Sequence, residues 1–351
     1  ELGRGLGDTQ SLLIGTYGTY AGSVARGDNK TAALISEQAS AQFAREGDPI
    51  CRLILRRMAG FAAFQAGKFL EAQQELQAVL ELYDPVVHGP LAGRWGHDAR
   101  AAALNDLTQI VWLLGYPDQA YRLMEDAFAT ARQISHSGSI GQVQYFSGVF
   151  FADLRRDLVA LERHVDETIA FDHEHGISRA DVTFFQGISQ FEQGMHADGL
   201  TLAEQGLALM PRSGGERRTY YLGRLAQVYA QLGDVDRAWQ TIVEAQSVSE
   251  RAAEHSWDAL LGCIAGEILV AKGADSGDVE VLLQRAVQIA RRQGAKSLEL
   301  RAALSFARML IDQGRSGQAR DLLAPVYGWF SEGFETPDLS EARTLLVGLG
   351  V

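Results

Sequence analysis

His173, Glu174 and His175 stand together, with His164 upstream, and imidazole and carboxylate are ordinary zinc ligands. On a helix, positions two apart leave by different sides, so both rings cannot converge on one ion. No His-Glu-x-x-His string occurs, and an exposed polar helix end just before Gly176 accounts for the cluster. The 44 carboxylates offer material for acid–base chemistry, but nothing sets one pair apart from solvated helix faces. Cys51 and Cys263 have no neighbouring base to make a thiolate nucleophile; buried small residues is the plainer reading. Gly3, Gly5 and Gly7 lack the spacing of a phosphate-binding loop, and no Gly-x-x-x-x-Gly-Lys-Ser/Thr string is present. The expectation is a chain without catalytic residues, metal or cofactor.

Recognition has better candidates. Arg212, Arg217, Arg218 and Arg224 surround one expected turn, and two further cation groups lie at Arg52, Arg56 and Arg57 and at Arg291, Arg292, Lys296 and Arg301. Such groups suit an anion or an acidic partner, although cations near helix C-termini are also favoured by the helix dipole. The stretch 84–96, with Tyr83, His88, Arg94, Trp95 and His97 in or beside it, reads as the longest loop. Aromatic and cationic side chains on a loop often carry recognition; the alternative is that Trp95 only plugs a gap between helices. The residues expected to contact a partner are therefore Arg94, Trp95, His97, Arg212, Arg217, Arg218 and Arg224.

The elements that must hold these residues are helical. Tyr221, Leu222, Leu225, Val228, Tyr229 and Leu232 follow helical spacing, as do Leu282, Leu283, Ala286, Ile289 and Ala290. Strict alternation is scarce, and good helix formers dominate. Pro49 after Asp48 and Pro337 after Thr336 read as first-turn prolines behind an N-cap. Pro325, inside an apolar run, predicts a kink or break. A pattern then recurs: an apolar residue, Gly four places later, a small residue five beyond that. Tyr229-Gly233-Ala238, Ala63-Gly67-Ala72, Val111-Gly115-Ala120 and Leu310-Gly314-Ala319 are the clearest copies. Weaker ones centre on Gly27 and Gly194. Near Arg155 the glycine is missing, and near Gly273 the turn is enlarged as far as Asp278. Glycine ends one helix in the left-handed conformation, and the small residue lets the next helix approach. A hairpin of this kind buries its inner face only by stacking on another, which predicts a solenoid. Eight units are expected, at 8–46, 48–83, 97–135, 138–175, 177–211, 215–253, 255–293 and 295–330. Residues 331–351 follow as a capping segment, with Leu339, Ala342, Leu345, Leu346 and Leu349 on one side. The fold class is an all-α, right-handed superhelical solenoid.

The pattern resembles the tetratricopeptide repeat. Gly60, Gly187 and Gly266 take that family's small position seven places before the turn, and Pro211 falls where its second helix ends. The period, nearer forty than the family's roughly 34 residues, implies longer helices. Four stretches resemble something narrower: Leu82-Tyr83-Asp84-Pro85 with His88; Trp112 through Ala120; Ala290 through Ala302; and Ala324-Pro325-Val326-Tyr327-Gly328-Trp329-Phe330-Ser331-Glu332-Gly333-Phe334. Together they resemble the C-terminal repeat region of bacterial proteins that join a class III adenylate/guanylate cyclase to a signalling ATPase, or of sister proteins bearing a winged-helix DNA-binding domain. The resemblance implies a regulatory module whose catalytic parts lie upstream of Glu1, in the same polypeptide.

Composition narrows the remainder. Apolar residues at 46% and charged residues at 22% are ordinary globular usage and argue against disorder. A net charge of −12 disfavours direct binding to nucleic acid, which needs clustered cations. No apolar run is long enough to span a membrane, and two cysteines far apart fit a reducing cytoplasm. With no initiator Met, the chain reads as a portion of a longer protein. The expected role is non-catalytic binding of a protein or peptide segment, or of a small effector, on a concave face lined by the first helix of each unit. The alternative is self-association without any ligand.

Overall fold

The computed structural model describes residues 9–43, 48–177, 179–210 and 217–350. Among them every regular element is helical, and no strand is present. The described residues form eight successive antiparallel pairs. They are α1 (Thr9–Ala25) with α2 (Asn29–Phe43), and α3 (Pro49–Gln65) with α4 (Phe69–Leu82). After a crossover come α5 (Pro85–His88) and α6 (Ala92–Trp95), then α7 (Ala99–Leu113) with α8 (Pro117–Ile134). The fourth pair opens with α9 (Ser137–Val143), which runs through a π-helical stretch at Gln144–Phe150 into α10 (Phe151–Leu154), and closes with α11 (Leu158–His175). Next are α12 (Ala180–Glu192) with α13 (His196–Leu209), and α14 (Arg218–Gln231) with α15 (Val235–Ala252). The array ends with α16 (Asp258–Ala271) and α17 (Ser276–Gln293), then α18 (Lys296–Asp312) and α19 (Ser316–Tyr327), before α20 (Pro337–Gly348).

Local chemistry sets these boundaries. Asp48 Oδ1 accepts from the Ile50 amide at 2.7 Å ahead of Pro49, and Asp98, Asp157, Asp234 and Asp275 cap later helices in the same way. Thr336 makes no side-chain cap ahead of Pro337. At Gly67, φ is +73°; its amide bonds to the Phe64 carbonyl and that of Lys68 to Ala63, a helix stop that turns the chain back. Five places after the turn glycines, Ala32, Ala72, Ala120, Ala238 and Ala319 are all buried. In the fourth pair Arg156 adopts the left-handed conformation (φ +61°) in place of a glycine. After Gly273 the turn runs to Asp275, whose carboxylate accepts from Gly277. Pro325 does not break α19, which carries it to Tyr327.

Two expectations need correction. The stretch 84–96 is not an open loop: Asp84 and Pro85 start a short helix, a 3₁₀ turn follows, and α6 buries Trp95. Nor is the array an open wall. The second pair meets the seventh, where Ser256 Oγ donates to the Phe64 carbonyl at 2.7 Å and the His255 amide to that of Gln65 at 2.7 Å. The third meets the eighth, where Ser297 Oγ donates to the Trp112 carbonyl at 2.5 Å. The coil thus returns on itself, and rings from several pairs meet inside: Trp257 lies 4.9 Å from Tyr220, 5.7 Å from Phe150 and 6.2 Å from Phe64. Aromatic contacts of this kind add roughly 0.5–1.5 kcal/mol each beyond burial. As a result α7 is buried on nearly every side, as an interior helix must be. Most of the inner face expected to be free is core.

Candidate functional site

What remains of the inner face is a cleft of about 410 Å³ towards the C-terminal end. Successive first helices each contribute one stripe at three- and four-residue spacing: Tyr220, Arg224, Gln227 and Gln231 from α14; Leu260, Cys263 and Glu267 from α16; Arg301, Ser305 and Arg308 from α18. Asp153 of α10 and Glu192 of α12 close one side, and Pro337, Asp338 and Glu341 of α20 the other. The same helices turn their opposite faces into the core, which fixes the stripes in register.

The floor is a network of ion pairs. Buried Asp153 accepts from Tyr220 Oη at 2.7 Å and from Arg224 Nε at 3.1 Å, and Arg224 reaches Glu192 at 3.3 Å. Burial works against the Arg224 charge, but Asp153, Tyr220 and Glu192 outweigh it and hold the guanidinium pKa above its usual range. Arg301 donates to Asp338 at 2.7 Å and to the Leu154 carbonyl at 2.5 Å, which ties α20 across the cleft to the fourth pair. Arg156 reaches Asp338 at 3.1 Å and Glu341 at 3.3 Å, and Arg308 pairs with Glu341. At the rim, Arg156, Arg308 and Glu341 keep 55%, 45% and 33% of their side-chain surface exposed, so their pairs can exchange for a ligand's groups. Cys263 faces the cleft, but burial and then Glu267 push its thiol pKa well up, which keeps it protonated and a poor nucleophile. A mixed-sign lining of this kind matches a polar peptide, with its donors, acceptors and both charges, better than a polyanion.

The expected recognition residues are dispersed. Arg212 lies outside the described residues. Arg217 is fully buried, donating to Gln109 at 3.2 Å and to Asp106 at 3.3 Å, with its guanidinium 4.3 Å from the Phe146 ring. Arg218 is buried, with Glu244 at 3.8 Å. Of the three described members of this group Arg224 alone lines the cleft, so Arg217, Arg218 and Arg224 do not form one surface. Arg94 is exposed on α6. Trp95 packs edge-on against Tyr17 at 5.1 Å, and His97 shares a bond with Tyr17 Oη at 3.1 Å. Burial, and then the Arg57 charge, bring the His97 pKa down to about 3. Members of the other cation groups are also paired, Arg57 with Asp106 at 3.0 Å and Arg291 and Lys296 with Glu299 at 2.7 Å each. His175 stacks on Phe171, and among the described residues no cluster could hold a metal ion. Sequence reasoning missed Asp153, Glu192, Arg308 and Asp338, and placed Arg301 only in a cation group with Arg291, Arg292 and Lys296. A usable signal was present: Arg224-Gln227-Gln231 and Arg301-Ser305-Arg308 are polar stripes on helices otherwise spent on burial.

No protein-family model matches the chain. An uncharacterized protein of Rhizobium meliloti (strain 1021) is 25% identical over 257 residues, which is 72% of this chain but only 25% of that protein, so the chain spans about a quarter of its relative's length. Among solved structures, a Rap protein complexed with competence and sporulation factor superposes with a TM-score of 0.56 at 12% identity, covering 85% of this chain and 80% of that one. Cut9 of the APC/C hetero-tetramer Cut9–Hcn1 gives 0.51 at 12% identity, covering 93% of this chain and 53% of that one. The fold is a tetratricopeptide-like helical repeat.

Proposed function

We propose that this chain is a non-catalytic binding module, in which the cleft between α14, α16, α18 and α20 holds a peptide or protein segment. The carrying observation is that three successive first helices bring Arg224, Gln227, Gln231, Glu267, Arg301, Ser305 and Arg308 to one cleft, with both signs of charge. The fold likeness supports the reading, since the Rap structure holds competence and sporulation factor and the Cut9 structure holds Hcn1. A place in a larger cytoplasmic signalling protein, beside a cyclase, ATPase or DNA-binding domain, rests on the sequence resemblance and agrees with the greater length of the Rhizobium relative. Because Arg301 and Asp338 tie α20 across the cleft, occupancy would change how firmly the C-terminal end is held and so bias the attached domains.

Peptides selected from a random library on the wild-type chain test this. Binding should fall at least tenfold in Gln231→Trp, which fills the cleft from an exposed position, and in Arg308→Glu, which inverts a rim charge. Equal affinity for all three proteins would move the site elsewhere. One feature favours self-association as a second reading: Ile311, Leu345 and Leu349 line an open, largely apolar groove beside α20. Light scattering that finds a monomer at every concentration removes it.

A further inference from the structure

α20 lies between two open spaces, the cleft and the groove of about 660 Å³ behind it, and its Pro337 and Glu341 line both. Leu339, Ala342 and Leu346 bury its apolar side, while Thr336 supplies no side-chain cap. On the cleft side charge holds it. Asp338 and Glu341, three places apart, share one face of the helix. Asp338 pairs with Arg301 at 2.7 Å and with Arg156 at 3.1 Å; Glu341 pairs with Arg156 at 3.3 Å and with Arg308. Among the described residues, these two carboxylates are the only ones paired with those three arginines. Arg224 differs, since its partners Asp153 and Glu192 come from the fourth and fifth pairs.

The sign of the lining therefore depends on α20. With the helix in place four arginines face five carboxylates; without its two, four face three. An acidic segment is disfavoured by the closed cleft and favoured by the one α20 has left, so it competes with the helix instead of adding to it. The chain's net charge of −12 acts at a distance and is screened beyond roughly 8 Å at physiological salt, which leaves local pairing to decide. We infer that α20 is a built-in rival for the cleft, and that the external ligand is an acidic amphipathic helix presenting two carboxylates one turn apart to Arg156 and Arg308. This rests on the reading of the cleft as a site for a polypeptide segment. Both arginines are half-exposed at the rim and are met first, whereas the Arg301–Asp338 pair is nearly buried and yields last. Glu332 holds the segment before α20 on α8, its Oε1 accepting from the Asp118 amide at 3.0 Å, so the helix stays tethered when displaced. A rival on a short tether acts at an effective concentration of roughly millimolar, which sets the threshold the ligand must exceed.

The probe is a synthetic peptide of residues 335–349, stapled into a helix through positions 340 and 344, which look into the open groove. A second peptide carries Asp338→Asn and Glu341→Gln. Titrated into the full chain, the acidic peptide should bind Glu341→Gln, whose internal rival is weakened, at least threefold more tightly than wild type. The neutral peptide should bind at least threefold less tightly than the acidic one, and adding Arg308→Gln to Glu341→Gln should remove the gain. Bound acidic peptide should speed amide exchange in α20 and leave α3 and α4 unchanged. No binding to Glu341→Gln, equal affinity for the two proteins or of the two peptides, or binding without faster exchange in α20 would each overturn the inference. Library-selected peptides that still lose affinity in Gln231→Trp would in that case leave the cleft as a peptide site and remove only its rivalry with α20.

Discussion

Gly187, Gly199 and Gly206 show how much a single missing methyl can decide. A Cβ on Gly187 would lie 2.3 Å from the Ala203 amide nitrogen and 2.6 Å from the Gly199 carbonyl oxygen, and one on Gly199 or Gly206 would strike α12 as closely. Those atoms are backbone and cannot rotate away, so α12 and α13 would have to part. Gly187→Ala should cost roughly 2–5 kcal/mol in urea unfolding. Gly18→Ala, where nothing lies within 4 Å, should change stability by less than about 1 kcal/mol and in the favourable direction. Gly187 was legible in sequence from its place seven before the turn and Gly199 from its place five after it; Gly206 became meaningful only once the helices were seen in contact. Glu254 gives a residue-scale test of pH. It is buried, and burial pushes its carboxyl up to about 7, against opposing bonds from Thr219 and the field of Arg217. A pKa raised on folding means that stability is complete below the unfolded value near 4.5 and is lost as pH rises through 7. Glu254→Gln should therefore gain on the wild type across that interval, by on the order of 2–3 kcal/mol at pH 8. Parallel denaturation curves at pH 4.5 and 8 would measure it, and an unchanged difference between the two proteins would place Glu254 in a more solvated setting.

Among the elements, helix starts were readable because their chemistry is local. Asp48 with Pro49 announces α3, and the turn glycines with their trailing alanines announce the pairs. The long-range caps were not. The first turn of α8 is capped by Glu332, whose Oε1 accepts from the Asp118 and Gln119 amides at 3.0 and 3.1 Å across more than 200 residues of chain. No local pattern could reveal that partner. Glu332→Ala should cost about 0.5–1.5 kcal/mol. Its signature should be faster amide exchange in two separate places, the start of α8 and the segment 329–336, with α3 and α4 unaffected. The crossover at 84–96 was misread for a related reason. Its prolines and glycines are turn residues taken singly, and only the burial of Trp95 against Tyr17 of the first pair explains why it winds into short helices. The dispersal of the cations around Arg217 has the same origin, because Asp106 and Asp153, which claim them, lie far away in sequence.

At the scale of the whole molecule, periodicity establishes the repeat but not the curvature. Curvature is a sum of small rotations between neighbouring pairs, and no residue pattern states where that sum brings two distant pairs into contact. Here it brings the second to the seventh and the third to the eighth, which turns most of an expected open face into core and leaves one charged cleft. The buried polar residues of α7 fit a closed interior: Asn105, Asp106 and Gln109 would be unremarked on an exposed helix, yet here Asp106 and Gln109 find Arg57 and Arg217 as partners. Hydrogen exchange along α7 tests closure most directly. In a coil returning on itself, the amides from Ala103 to Leu113 should be among the last in the chain to exchange, opening only with global unfolding. Exchange there as fast as in the outward-facing α8 would mean an open array, and the enclosed interior described here would be wrong.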